Sequence, residues 1–182
     1  EVVSEDRKAL MVARACLRRP LFDIASLYGT ADAGVLAVET PLAAAIRGFL
    51  GSDPAHARAL LGEARLPTLA QYDPRSRYFE AHEGTLLFSG DNGVPLVRYH
   101  ISDQGGIVGY EDMLAFCSER GFDAIAAVRG QGERGVHALP FLYVFGRSHF
   151  AVSFYGANVF PEMVAIGLEQ PEVSALVTGK FV

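Results

Sequence analysis

Apolar and polar positions follow two different rhythms along this chain. Ser4-Glu5-Asp6 followed by apolar Leu10, Ala13, Cys16 and Leu17 is the pattern of a capped amphipathic helix of about four turns. Arg14, Arg18 and Arg19 crowd its last turns, where cations suit the helix dipole, and Pro20 ends it. Leu21 to Leu27 is mainly apolar and predicts a buried strand running into a loop, Tyr28 to Gly34. A second apolar run, Val35 to Val38, follows. Asp53-Pro54 pairs an N-cap carboxylate with Pro at the first helical position and predicts a helix to about Glu63.

From Leu66 to Ile101 the spacing shortens to strands and turns. Arg77 to Ala81 and Thr85 to Phe88 flank His82-Glu83-Gly84 as a hairpin. Gly90-Asp91-Asn92-Gly93 is a turn, Val94 to Ile101 the next strand, and Gly105-Gly106 a break before Ile107-Val108. Glu111 to Arg120 predicts a second amphipathic helix, stopped by Gly121. Arg129 to His137 reads as an exposed loop, and Leu139 to Phe145 as a strand ending at Gly146-Arg147-Ser148. A fresh unit begins there: strand Phe150 to Phe154, turn Tyr155 to Asn158, a helix from Pro161 to about Gln170, and a final strand Val173 to Val177.

Composition narrows the class. A chain of 182 residues, half of them apolar and 20% charged, can bury a real core and is the opposite of a disordered sequence. With 16 Lys+Arg against 21 Asp+Glu the net charge is −5, which gives no electrostatic footing for nucleic acid. No apolar run approaches the ~18–20 residues of a membrane span. The two cysteines, Cys16 and Cys117, are far apart and fit a reducing, cytoplasmic setting rather than a disulfide scaffold.

Candidate chemistry lies in three segments. Tyr28-Gly29-Thr30-Ala31-Asp32 follows a predicted strand, the place where open α/β sheets hold ligands. Tyr28 offers an aromatic face, the glycines a close backbone approach, and Asp32 a carboxylate for Mg²⁺; an ordinary exposed turn fits the same residues. Asp103, at the end of Pro95-Leu96-Val97-Arg98-Tyr99-His100-Ile101-Ser102-Asp103, could accept two vicinal hydroxyls, or simply form a turn. Arg147 could hold ribose or phosphate through its planar fork, or be a solvated charge at a strand end. The five histidines are scattered without ligand spacing, so a zinc site is not expected. The glycines at Gly130 to Gly135 lack the Gly-Lys-Ser/Thr of a P-loop, and no nucleophile elbow is present.

Taken in order, these segments and the later Gly156-Ala157-Asn158-Val159-Phe160-Pro161 resemble the adenylate-forming superfamily. The likeness is greatest to phenylacetate–CoA ligase-like proteins, whose stretches read roughly Tyr-Gly-x-Ser-Glu, Pro-Leu-Ile-Arg-Tyr-Arg-Thr-x-Asp and Gly-Arg-Ser-Asp-Asp…Gly-Val-Asn-Val-Phe-Pro. The resemblance runs the length of the chain, with 104–138 longer and less familiar. It implies activation of a small carboxylate by ATP, with Mg²⁺, to an acyl-AMP, and then transfer to CoA. It also implies roles. Tyr28 would stack on adenine, Gly29 lie along the nucleotide or acyl group, and Thr30 sit beside the α-phosphate. Asp32 would take the Mg²⁺-binding acidic place, Asp103 hold the ribose hydroxyls, and Arg147 contact ribose or phosphate. His149 would fall at the hinge of a mobile C-terminal domain, and Gly156 in the loop that swings in for thioester formation.

The implied fold is mixed α/β. Residues 1–34 would be the tail of the large AMP-binding domain, 35–146 a β-barrel-like subdomain with inserted helices, and 147–182 the start of a small α+β domain. The sequence departs from the family pattern at Ala31, where a hydroxyl is usual, at Asp32 in place of Glu, at Ser102, and at His149-Phe150 in place of an acidic hinge pair. It shows neither the phosphate loop nor the adenylation lysine, so the expectation is a portion of a longer ligase that does not turn over by itself. A non-catalytic homologue binding a nucleotide or aromatic carboxylate is the alternative. Exposed apolar edges would suit a homodimer.

Overall fold

The Ser4 hydroxyl accepts the Arg7 N–H and opens α1 (Glu5–Arg14), as the cap signal requires. A computed structural model describes residues 3–91, 93–132, 134–147, 152–154, 157–159 and 161–177. The helix stops earlier than its apolar spacing suggests. Cys16 takes a left-handed φ of 53°, which turns the chain away before Arg18 and Arg19 can join the last turn. Pro20 then starts a helix instead of ending one. It holds the first position of α2 (Pro20–Asp23), and Asp23 accepts the Arg18 and Arg19 N–H groups. The strand expected over Leu21 to Leu27 is therefore a helical turn and a short link.

The next segment corrects a second expectation. β1 (Leu27–Thr30) pairs antiparallel with β2 (Gly34–Val38), so Tyr28 to Thr30 lie in a hairpin strand and not in a loop behind one. Thr40-Pro41 carries the same start signal as Asp53-Pro54 and opens α3 (Pro41–Ser52), a helix not anticipated from the pattern. α4 (Pro54–Leu61) follows with Asp53 as N-cap and left-handed Gly62 at its end, close to the expected bounds. β3 (Thr68–Gln71) leads to the hairpin β4 (Arg77–His82) and β5 (Thr85–Asp91). Its turn residues Glu83 and Gly84 both have positive φ, as a tight two-residue hairpin demands.

β6 (Pro95–Val108) runs straight through the predicted break. A Cβ at Gly105 would lie 2.2 Å from the Tyr143 carbonyl oxygen, so this glycine is a close approach between strands, not an interruption. α5 (Tyr110–Glu119) matches the second amphipathic helix, with left-handed Gly121 beyond it. α6 (Ala124–Arg129), capped by Asp123, takes the residues just before the expected loop, and β7 (Phe141–Arg147) follows that loop. Beyond it come β8 (Val152–Phe154), β9 (Ala157–Val159), α7 (Pro161–Leu168) and α8 (Pro171–Ser174). Pro171 starts a helical turn where Val173 to Val177 were expected to form a strand. Ala157 and Asn158, expected in a turn, pair within the β8–β9 hairpin.

The protein is thus mixed α/β, built on an open seven-stranded sheet in the order β1-β2-β3-β7-β6-β5-β4 with every pairing antiparallel. Its edges β1 and β4 do not pair with each other, but the sheet curls. Arg77 in β4 donates Nε–H to the Val35 carbonyl in β2 at 3.0 Å. One core fills the inside of the curl, joining Tyr28, Leu36, Phe79, Phe88, Ile101 and Val144. The second lies on the outer face, where Leu42, Ile46 and Leu50 of α3 meet Met113, Cys117, Val128 and Phe141. Each fully buried Leu or Ile contributes about 1.5–3 kcal/mol. Among the described residues no helix is long and apolar enough to cross a membrane.

Candidate functional site

Backbone irregularities aim the candidate side chains. Between Tyr28 and Gly29 the β1–β2 register shifts, and a Cβ at Gly29 would sit 2.3 Å from the Gly34 carbonyl oxygen. Only glycine permits that approach, and the bulge turns Tyr28 into the inner core. On β6, Leu87 faces His100 while Thr85 faces Gln104, so Ile101, Ser102 and Asp103 hold the extra length. Ser102 absorbs it with a φ of 66°. Bulges of this kind re-aim side chains, and here Asp103 points across the inside of the curl.

The result is a contact between residues far apart in sequence. Tyr28 donates its hydroxyl to Asp103 Oδ2 at 2.8 Å. Asp103 is also the register partner of Arg147 at the end of β7, and Arg147 Nε lies 3.9 Å from Asp103 Oδ1. Tyr28 is only 9% exposed, whereas the Arg147 side chain is 62% exposed. Burial chiefly, and then the Asp103 charge and hydrogen bond, push the Tyr28 phenol well above its usual range. The Arg147–Asp103 attraction is weak, because water screens an exposed guanidinium. Tyr28, Asp103 and Arg147 therefore form one continuous group, running from the core to the surface.

The remaining candidates lie on the β1–β2 turn. Thr30 Oγ1 accepts the Ala33 N–H at 3.0 Å and holds the turn closed. Asp32 is exposed, and its Oδ2 accepts the Tyr99 hydroxyl at 2.6 Å. That hydrogen bond raises the Tyr99 phenol above its ordinary value. The sequence gives Tyr99 no role, since strand alternation does not say that β6 passes beside this turn. His149, expected at a hinge, and Gly156, expected in a moving loop, lie outside the described residues.

Chemically, Asp103 retains acceptor capacity on Oδ1, beside the exposed donor fork of Arg147. This pair of functions suits a diol flanked by an anion. Asp32 can offer one carboxylate to a cation, and among the described residues no group of three or more His, Cys, Asp and Glu could enclose one. A single carboxylate fits Mg²⁺ only in the mode where phosphate oxygens and water complete the shell. Comparison with protein-family models, with curated proteins and with solved structures gives no match to this chain.

Proposed function

We propose that this chain is a portion of an AMP-forming acyl- or aryl-CoA ligase, which activates a carboxylate with ATP and transfers it to CoA. The single observation that carries the reading is the convergence of Tyr28, Asp103 and Arg147, three motif residues drawn from different strands, into one connected group. In this reading Asp103 accepts the ribose hydroxyls through its free lone pairs, and the Tyr28 hydroxyl keeps the carboxylate oriented. Tyr28, expected to stack on adenine, has its ring buried in the inner core and acts here through its hydroxyl, with Gly29 following the nucleotide. Arg147 reaches a ribose or phosphate oxygen. Thr30 lies toward the α-phosphate, and Asp32 supplies the carboxylate for Mg²⁺. When bound, Mg²⁺ would neutralise phosphate charge. The residues of this chain contribute positioning, which in such transfers carries much of the barrier reduction.

One observation favours a second reading, a homologue that binds nucleotide or aromatic carboxylate without activating it. The Asp32 carboxylate is engaged by Tyr99, and Ala31 beside it lacks a hydroxyl. Carboxylate-dependent exchange of pyrophosphate into ATP separates the two, measured on the longer protein over a panel of aryl and fatty acids. The ligase reading expects exchange with at least one acid. Tight AMP binding without exchange would select the second reading.

A further inference from the structure

A second constellation lies apart from the Tyr28–Asp103 group. Arg47, on α3, is 2% exposed, and two of its nitrogens are committed to backbone. Nε donates to the Pro67 carbonyl at 2.6 Å and Nη2 to the Val3 carbonyl at 2.8 Å. The third nitrogen, Nη1, is in direct ion contact with the Glu5 carboxylate from the first turn of α1, without a well-aligned hydrogen bond. Glu5 is 46% exposed, a surface side chain reaching inward to a buried cation.

Arg47 sits against a cavity of about 460 Å³. Leu50, Leu66, Phe145, Met163 and Ile166 give it a mainly apolar lining. Such a volume lies within the ~300–1,000 Å³ range of small-molecule sites. α1 and α7 close over it through the Ser4 hydroxyl, which donates to Glu169 Oε2 at 2.5 Å. Burial lowers the Arg47 guanidinium to about 10, which leaves it cationic at neutral pH and in need of an anion.

We propose that this cavity binds an apolar monocarboxylate, whose carboxylate takes the place of Glu5 at Arg47 Nη1 while its hydrocarbon fills the space between α3, β7 and α7. Glu5 already supplies a carboxylate at that nitrogen but brings no apolar group into the cavity. A ligand with both parts satisfies the cation and the apolar walls together. Release of Glu5 costs little, because its exposed side chain returns to water.

Calorimetric titration of the chain with decanoate tests this, with decanol as the uncharged control. Glu5→Gln removes the competing carboxylate and is expected to tighten decanoate binding severalfold. Ile166→Trp fills the cavity from a partly exposed position and is expected to weaken it by about tenfold or more. Arg47→Met is expected to abolish binding, and since it also removes two backbone contacts, Glu5→Gln and Ile166→Trp decide the matter. Decanol should bind at least about tenfold more weakly than decanoate, for want of the charge-assisted contact. Equal binding of decanol, or decanoate binding indifferent to both variants, would overturn the proposal. Indifference would also mark a carboxylate bound elsewhere, including any acyl site beside Asp103.

Discussion

Tyr28 and Asp103, 75 positions apart, meet through a 2.8 Å hydrogen bond across the inside of the curled sheet. Each stands at a local fault in its strand, Tyr28 beside the Gly29 bulge and Asp103 beside left-handed Ser102. The contact therefore depends on two backbone devices as well as on two side chains. Tyr28→Phe keeps the buried ring and removes only the donor. It should cost about 1–3 kcal/mol of stability in urea unfolding, the scale for losing a hydrogen bond to a charged group. An unchanged midpoint would mean that water replaces the hydroxyl freely.

Ser102 occupies a conformation that costs an L-residue roughly 1–2 kcal/mol. Ser102→Gly should therefore stabilise the protein by about 1 kcal/mol, offset partly by the greater freedom of the unfolded glycine. Thermal unfolding would show this as a rise of about 2–4 °C. Gly29→Ala should act in the opposite sense, since its methyl would meet the Gly34 carbonyl. A destabilising Ser102→Gly would show that the hydroxyl outweighs the strain.

These positions also show what was legible in advance. Tyr28, Asp103 and Arg147 stand in three separate segments of the sequence, and only the structure joins them. Helix starts at Ser4 and Asp53 and the hairpin at Glu83-Gly84 were readable because caps and tight turns are local. A short apolar run such as Leu21–Leu27 does not distinguish a buried strand from a helical turn, and Pro20 decides the outcome by fixing a first helical position. Gly105-Gly106 looks like a break in the sequence because the reason for the glycine at 105, the Tyr143 carbonyl, lies on another strand. The Tyr99–Asp32 bond depends on sheet curl, which no local pattern encodes.

Alkaline pH should destabilise the fold in a defined window. Burial pushes the Cys117 thiol from 9.0 up to about 11, and the Tyr28 phenol rises further above its usual 10.0. Both hold their protons more tightly when folded, so the unfolded chain releases protons first. Stability is then undiminished below about pH 9 and falls as pH climbs past the unfolded values. Urea unfolding at stepped pH should record a decline opening between 9 and 10, below the point where the lowered Arg47 guanidinium begins to act in the opposite sense, and Cys117→Ala should flatten part of it. A flat or rising profile in the wild-type protein would contradict the assignment.

Cysteine reactivity should split cleanly. Cys16 is exposed and Cys117 is buried. A disulfide reagent at pH 8 should modify one thiol in the native protein and both after unfolding, because burial disfavours the reactive thiolate. Rapid native modification of both would show that the outer core opens readily.

Asp32→Asn and Tyr99→Phe probe the metal role proposed for Asp32. Asp32→Asn should remove the Mg²⁺-dependent part of ATP affinity and leave metal-free AMP affinity unchanged. Tyr99→Phe frees the same carboxylate without deleting it and should retain the Mg²⁺ response. Loss of metal-free AMP binding in Asp32→Asn would instead place Asp32 against the nucleoside.

The most direct measurement is calorimetry of AMP binding to the wild-type chain, Asp103→Ala and Arg147→Ala, each first shown to be folded by circular dichroism. Saturable binding is expected for the wild type, weakened by about 1–3 kcal/mol in Asp103→Ala and by a smaller amount in Arg147→Ala. Equal AMP affinity in the wild type and Asp103→Ala would contradict the ribose role proposed for Asp103.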